Sequence, residues 1–364
     1  MVHLAYFVLA FAILQLIVAT LNIIFIQKFK NNYNENELIS VLIPARNEEK
    51  NIGNILKDLL NQPYKNLEII VFNDQSTDTT SQIVENYQKI DNRIKIINST
   101  NLPDGWRGKN FACYQLAKNA NGKFFLFLDA DVRIFNNIIP LSVRYLKQKK
   151  LKMLSIFPKQ QMLSFGEKIT VPLMNYILLT LLPLFLVKIS KFSSLAAANG
   201  QFILFDAQTY KNLQPHLNLK NKTVEDIQIA RLYKKQKQKI ACLVGKKDIQ
   251  CRMYTSYIEA IEGFSRSISS FFGNSLILAT FFWFVTTFGF LFIIISLTPI
   301  YLFFYIFIVL ITKIFVSLAS NQNILQNILY FPINQFVIAI VIIKAFTNKL
   351  NKNFQWKGRK IEKL

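Results

Sequence analysis

The chain has 364 residues, 52% of them apolar and 18% charged, and 43 Lys and Arg against 21 Asp and Glu give a formal net charge of +22. So few charges, together with 33 Phe, exclude a disordered chain and argue against an ordinary soluble domain, which is about one-quarter charged. The basic excess suits either nucleic acid or an anionic membrane surface. It arises partly from scarce carboxylates, so a membrane surface is expected and nucleic acid is not.

In chain order, Leu4 to Ile26 is an uncharged apolar run, long enough for a bilayer that needs roughly 20 apolar residues per helix. No Lys or Arg precedes it, whereas Lys28 and Lys30 follow. This reads as a retained anchor over residues 1–27 with its C-terminal end in the cytoplasm. Residues 36–262 form a mixed polar domain. Leu38–Pro44, Leu67–Asn73, Ile94–Asn98 and Phe124–Leu128 read as strands, and Ile52–Asn61, Thr79–Ile90 and Phe111–Asn119 as helices. The alternation predicts an α/β sheet with crossover helices. Within this domain Ile169 to Val187 is uncharged and long enough to span, with Lys168 and Lys188 at its ends.

Ser267 to Thr312 again carries no charge, and Pro299 in its middle predicts a hairpin of two helices. Ile328–Phe346, with Pro332, Asn334 and Gln335, is weaker and either spans or lies at the interface. The apolar C-terminal region is thus 267–346, followed by a basic tail, 347–364, expected in the cytoplasm. With the N-terminus outside, a cytoplasmic tail needs an even number of C-terminal spans, so the total stands open at three or four. Cys113, Cys242 and Cys251 fit no zinc spacing and read as reduced thiols.

Chemistry gathers at predicted strand ends. Phe127-Leu128-Asp129-Ala130-Asp131-Val132 closes an apolar strand with two carboxylates two residues apart, on one side of an extended chain. Such a pair can hold Mg²⁺ or Mn²⁺, hard cations that keep positions open for phosphates. Asn73-Asp74-Gln75-Ser76-Thr77-Asp78 ends a second strand, and ligands of open α/β sheets bind beyond strand C-termini. Pro44-Ala45-Arg46-Asn47-Glu48-Glu49 ends the first.

These three stretches in this order resemble glycosyltransferase family 2. Gly105-Trp106-Arg107-Gly108-Lys109-Asn110-Phe111-Ala112-Cys113 and the tail motif Trp356-Lys357-Gly358-Arg359 are similar to its membrane-bound, lipid-acceptor branch, which includes enzymes acting on carotenoid acids and hopanoids. The resemblance implies a GT-A fold, a UDP-sugar donor and a divalent metal. It places Pro44, Ala45, Arg46, Glu48 and Asp74 at the nucleoside, Asp129 and Asp131 at the metal and diphosphate, and Lys109 at the diphosphate. Thr223-Val224-Glu225-Asp226-Ile227 resembles the family's Glu-Asp motif, making Asp226 the catalytic base with Glu225 beside it. Arg266 and, second to it, Arg252 are candidates to neutralise the leaving diphosphate.

Two departures matter. Where many relatives carry a Gly-Gly pair, this chain has Asn212-Leu213-Gln214-Pro215-His216. Polymer-forming members carry Gln-x-x-Arg-Trp near the membrane; Glu262-Gly263-Phe264-Ser265-Arg266-Ser267 has neither Gln nor Trp in place. A single sugar addition is therefore expected. Ile169–Val187 lies between Asp131 and Asp226, and a single span there would put these carboxylates on opposite membrane faces although both must reach one sugar diphosphate. It is therefore expected to be interfacial or re-entrant, broken by Pro172 and Pro183, with a buried core helix as the alternative. The whole reads as a multi-pass cell-membrane protein with a cytoplasmic GT-A domain, transferring one sugar with inversion to a membrane lipid. A polyprenyl-phosphate sugar synthase is the close rival, and a non-catalytic membrane protein binding anionic lipid or a partner the distant one.

Overall fold

The computed structural model describes residues 1–26, 29, 35–99 and 101–350, and the backbone of 355–356 and 359–360. Lys28, Lys30 and the side chains of the basic tail beyond residue 350 lie outside the described residues.

Among the described residues, ten strands build the polar domain: β1 Ile39–Ala45, β2 Leu67–Asn73, β3 Ile94–Asn98, β4 Phe124–Leu128, β5 Val132–Ile134, β6 Met153–Phe157, β7 Lys159–Gln160, β8 Phe202–Asp206, β9 Ile240–Val244 and β10 Ile249–Cys251. Seven of them form one sheet in the order β3-β2-β1-β4-β8-β6-β9, and β5-β10-β7 form a small second sheet. From β3 to β4 the pairing is parallel, and β8 runs antiparallel to both β4 and β6. β2 and β4 are buried along their whole length and β1 at every position but Pro44. This is the continuous apolar run of a parallel strand covered on both faces. Helices Ile52–Leu60, Thr80–Ile90 and Gly108–Lys118 make the crossovers.

This topology sets the working edge. Ala45 pairs with Asn73 at the C-terminal ends of β1 and β2. Because β8 is reversed, its first residue, Phe202, pairs with Leu128 at the end of β4. The loop 199–201 therefore arrives at the same edge as Asp74 and Asp129.

Among the described residues, four helices are long and apolar enough to cross a membrane: Val2–Ile24, Leu276–Ser296, Pro299–Ser320 and Phe331–Leu350. Tyr6 meets Tyr301 near the start of two of them, so Val2–Ile24 and Pro299–Ser320 run parallel. Val8 lies against Gly289 and Phe11 against Phe282, so Leu276–Ser296 runs the other way. A Cβ on Gly289 would sit 2.7 Å from Val8; the missing side chain permits the close crossing.

The stretch Ile169–Val187 is broken into Phe165–Thr170, Pro172–Leu181 and Leu184–Ile189, with Pro172 and Pro183 beginning or preceding new helices. Asn22 caps the second break. Its amide donates to the carbonyls of Leu179 and Leu182, both at 3.0 Å, and its oxygen accepts the Leu184 N–H at 2.8 Å. Leu173, Met174, Tyr176, Ile177 and Leu179 are buried in a core that runs from Phe127 and Phe205 of the sheet to Phe282 and Val316 of the apolar helices. The stretch thus joins the seven-stranded sheet to the helical bundle.

Helix Phe331–Leu350 is tied at both ends. Asn334 donates to the Ile169 carbonyl at 2.7 Å, and Asn348 to the Ser265 hydroxyl at 3.3 Å. Ser265 belongs to helix Tyr257–Phe271, which precedes the first C-terminal apolar helix and walls the site described next.

Candidate active site

A cleft of about 660 Å³ opens at the C-terminal edge of β1, β2 and β4. Pro44, Ala45, Arg46 and Glu48 after β1, Asp74 after β2, and Asp129 and Asp131 after β4 line it. So do Lys109 at the start of helix Gly108–Lys118, Glu225 and Asp226 at the start of helix Glu225–Lys235, and Arg266. Arg252 is not in the cleft wall. Its guanidinium is held by Glu167, at 2.7 Å.

Lys109 is the hub. Its Nζ lies 2.8 Å from Asp129 and 3.3 Å from Glu225. Burial would lower its pKa, but the two carboxylates outweigh this and hold it well above its ordinary value. Burial pushes Glu225 upward, and Lys109 reverses the sign, leaving it below the ordinary value. Lys109 lowers Asp226 too, but without an ion pair to it. Burial first and the Glu225 charge second push it up to about 7. It is nevertheless fixed, accepting from the Gly200 N–H at 2.9 Å and the Ile227 N–H at 2.8 Å.

Val224, the residue before Glu225, has φ +54°. A β-branched residue in the left-handed region is strained by about 1–3 kcal/mol. Gln214, in the stretch that lacks the Gly-Gly pair, is also left-handed, at φ +41°. A turn of that handedness thus survives there without glycine.

Asp131 is raised to about 7 by burial, then by Asp129 and Glu48. Its Oδ1 is buried without a hydrogen-bond partner. A buried carboxylate oxygen with an unused lone pair, in a field of like charge, fits a divalent cation. Among the described residues no three His, Cys, Asp or Glu side chains converge on one point. The set suits an ion whose remaining positions go to phosphate oxygens. The three cysteines are free and buried.

Trp106 meets Phe111 edge-on and Tyr114 at a tilt, and it lines the cleft. Met253, Tyr254, Glu259 and Glu262 line it as well, and sequence reasoning missed all four. The signal existed in part. Glu259, Glu262, Gly263, Arg266 and Ser267 lie at helical spacing on one face of Tyr257–Phe271.

Residues 40–184 match the family model described as glycosyl transferase family 2. Over 240 residues the chain is 27% identical to 4,4'-diaponeurosporenoate glycosyltransferase of Staphylococcus haemolyticus, covering 64% of this chain and 61% of the relative. The protein of that name from Staphylococcus aureus strain USA300 is 27% identical over 249 residues, covering 66% and 62%. The matched stretch thus spans less than two-thirds of these curated relatives. Among solved structures, the mannosyltransferase PcManGT from Pyrobaculum calidifontis, in complex with GDP-Man and Mn²⁺, superposes with a TM-score of 0.57. It is 14% identical, and the match covers 95% of this chain and 98% of that one. That likeness is one of fold, and the fold is GT-A.

Proposed function

We propose that the chain is a membrane glycosyltransferase that moves one sugar from a UDP-sugar to a lipid acceptor, a carotenoid acid or a similar isoprenoid or glycerolipid, at the cytoplasmic face of the cell membrane. One observation carries the reading. The carboxylates Asp74, Asp129, Asp131 and Asp226 and the cation Lys109 share a cleft with helix Tyr257–Phe271, whose other side packs on apolar helix Phe331–Leu350. Donor chemistry and a membrane phase are thus adjacent. The names of the curated relatives support the acceptor class.

In this reading Pro44, Ala45, Arg46, Glu48 and Asp74 receive the nucleoside. Asp129 and Asp131 hold Mg²⁺ or Mn²⁺, which when bound supplies positive charge to the leaving diphosphate. Lys109 and Arg266 add to that charge from the protein side. Asp226 takes the acceptor hydroxyl proton as that oxygen attacks the sugar carbon from the face opposite the diphosphate, giving inversion. If the acceptor is a carboxylate, it attacks as the anion and no proton is moved. Arg252 is a strut that fixes Glu167.

The test is to incubate membranes containing the full chain with labelled UDP-sugars, and with GDP-mannose, in Mg²⁺ or Mn²⁺, and to identify labelled lipids by mass spectrometry. A labelled isoprenoid or glycerolipid is expected. Label appearing only on added polyprenyl phosphate would instead favour a polyprenyl-phosphate sugar synthase. No labelled lipid with any donor would overturn the lipid-acceptor class.

A further inference from the structure

Lys313 lies inside the bundle of apolar helices. It sits seven residues before the end of Pro299–Ser320, about 10 Å along the helix from that end at 1.5 Å per residue. The end in question faces the catalytic domain, because this helix runs parallel to Val2–Ile24, which leads into that domain. Lys313 is 5% exposed. Among the described residues no carboxylate lies within ion-pair distance of it. Its Nζ sits instead over two rings, 3.5 Å from the centre of Tyr176 and 4.2 Å from that of Phe331. The rings offset part of the cost of burying a cation. They leave its hydrogen-bond donors without an oxygen acceptor, and a cation so placed in a membrane helix is costly to keep without a function.

A second donor faces the same small cavity. Gln322 lines it together with Lys313, and the Gln322 Nε2 is buried without a partner. The orientation of that amide is set by its neighbour: Asn327 donates to the Gln322 oxygen at 2.9 Å, and also to the Ser317 hydroxyl at 2.9 Å. The Ser317 hydroxyl is itself spent on the Lys313 carbonyl at 2.7 Å. The cavity therefore offers an ammonium and an amide N–H₂, and the Gln322 and Ser317 side-chain oxygens both accept from Asn327. Its volume is about 10 Å³, room for one oxygen-sized group.

We propose that this cavity, separate from the cleft, is a binding site for one anionic oxygen, carboxylate or phosphate, of a membrane amphiphile on the catalytic-domain side. Lys313 and Gln322 bind the oxygen, Tyr176 and Phe331 hold the ammonium in place, and the rest of the amphiphile stays outside the cavity. The charge-assisted bonds form in a dry setting, where they are strongest.

The test uses the full chain, stripped of lipid in neutral detergent and placed in phosphatidylcholine nanodiscs containing oleate or phosphatidate, or in nanodiscs without either but with inorganic phosphate in the buffer. Native mass spectrometry reads the molecules that stay bound. One oleate or phosphatidate per chain should be retained about tenfold over phosphatidylcholine. Lys313→Met and Gln322→Leu should each remove that preference, and Lys313→Arg should keep most of it. Equal retention by wild type and both variants overturns the proposal, as does a wild type that prefers no anionic lipid. Retention of inorganic phosphate with no retained lipid overturns the lipid source. If Lys313→Met does not fold, Gln322→Leu decides alone.

Discussion

The backbone N–H of Gly200 donates to Asp226 Oδ2 at 2.9 Å, and the Gly200 Cα faces Lys109 so closely that an added Cβ would lie 3.1 Å from its Nζ. One residue thus orients the proposed base and leaves room for the cation beside it. The backbone of Gly200 is not left-handed, so a side chain there is opposed by crowding alone. Gly200→Ala should fold normally and lower kcat/KM about tenfold, near 1.4 kcal/mol of transition-state stabilisation. Steady-state kinetics beside a melting curve check this; an unchanged kcat/KM would remove Gly200 from any positioning role.

Asp226 is held near pKa 7 by burial and by the charge of Glu225. A base works only when ionised, so on a hydroxyl acceptor activity should rise with pH through about 7 and then level off. Glu225→Gln removes a charge that raises Asp226, and the acid limb should move to lower pH. Asp226→Asn should cost about 10²–10⁴ in kcat with donor binding retained. An Asp226→Asn enzyme of near wild-type rate, on an acceptor that must lose a proton, would end the assignment. The same shift acts on stability: the fold favours the protonated carboxyl. Its contribution is complete below the ordinary value of 3.8 and is lost as pH rises through about 7.

Much of this site is legible in the sequence because its residues sit at ends of strands, and strand ends announce themselves. Asp74 and Asp129 each follow an unbroken apolar run, and a parallel sheet brings such ends to one edge. The residues of the other wall are harder to read. Tyr254 follows a three-residue strand of a minor sheet, and it reaches the cleft because Gly263 lacks a side chain; a Cβ there would lie 2.1 Å from its hydroxyl. No local pattern encodes a contact made across two elements. Arg252 shows the converse. By type and place it suits a phosphate, yet Glu167, 85 residues earlier, holds it. Ile169–Val187 has the composition of a span, and only Asn22, on another helix, reveals how its broken ends are satisfied.

The Glu167–Arg252 pair joins helix Phe165–Thr170 to the strand leading to Tyr254. The Glu167 side chain is fully buried and the Arg252 side chain 36% exposed. Burial pushes Glu167 up, but Arg252, the Leu163 N–H and Ser164 reverse this and hold it at about 2. Its folded pKa is depressed, so the stability it contributes is present above the ordinary value of 4.5 and is lost as pH falls toward 2. Glu167→Gln should destabilise by about 1–3 kcal/mol, below the full cost of breaking a buried pair because water screens the arginine. Arg252→Gln should lower stability similarly and leave donor affinity unchanged, whereas Arg266→Gln should weaken donor binding. Thermal unfolding and UDP-sugar titration separate the two; a donor-binding loss confined to Arg252→Gln would return that residue to the diphosphate.

The last prediction concerns the side of the membrane on which the tail emerges. Helix Phe331–Leu350 is long and apolar enough to span, and if it did, three C-terminal crossings would put the tail opposite the catalytic domain. Its contacts argue otherwise. Near its start Asn334 is bonded to helix Phe165–Thr170, and near its end Asn348 is bonded to helix Tyr257–Phe271. Both partners flank the catalytic domain, and Tyr257–Phe271 lines the cleft. The start of Phe331–Leu350 reaches Thr286 and Thr287, about 15 Å into Leu276–Ser296, while its end lies at Tyr257–Phe271, so the helix falls short of the roughly 30 Å that a span covers. The positive charge of the tail sequence, with Lys352, Lys357, Arg359, Lys360 and Lys363, favours the cytoplasmic side, the side proposed for the active site. Two C-terminal spans, Leu276–Ser296 and Pro299–Ser320, followed by an interfacial helix satisfy both constraints. A reporter that fluoresces only in the cytoplasm, fused after Leu364, should therefore be bright, and a single cysteine placed at Asn353 should resist a membrane-impermeant thiol reagent until the membrane is opened. A dark fusion with an externally labelled cysteine would establish a third C-terminal span.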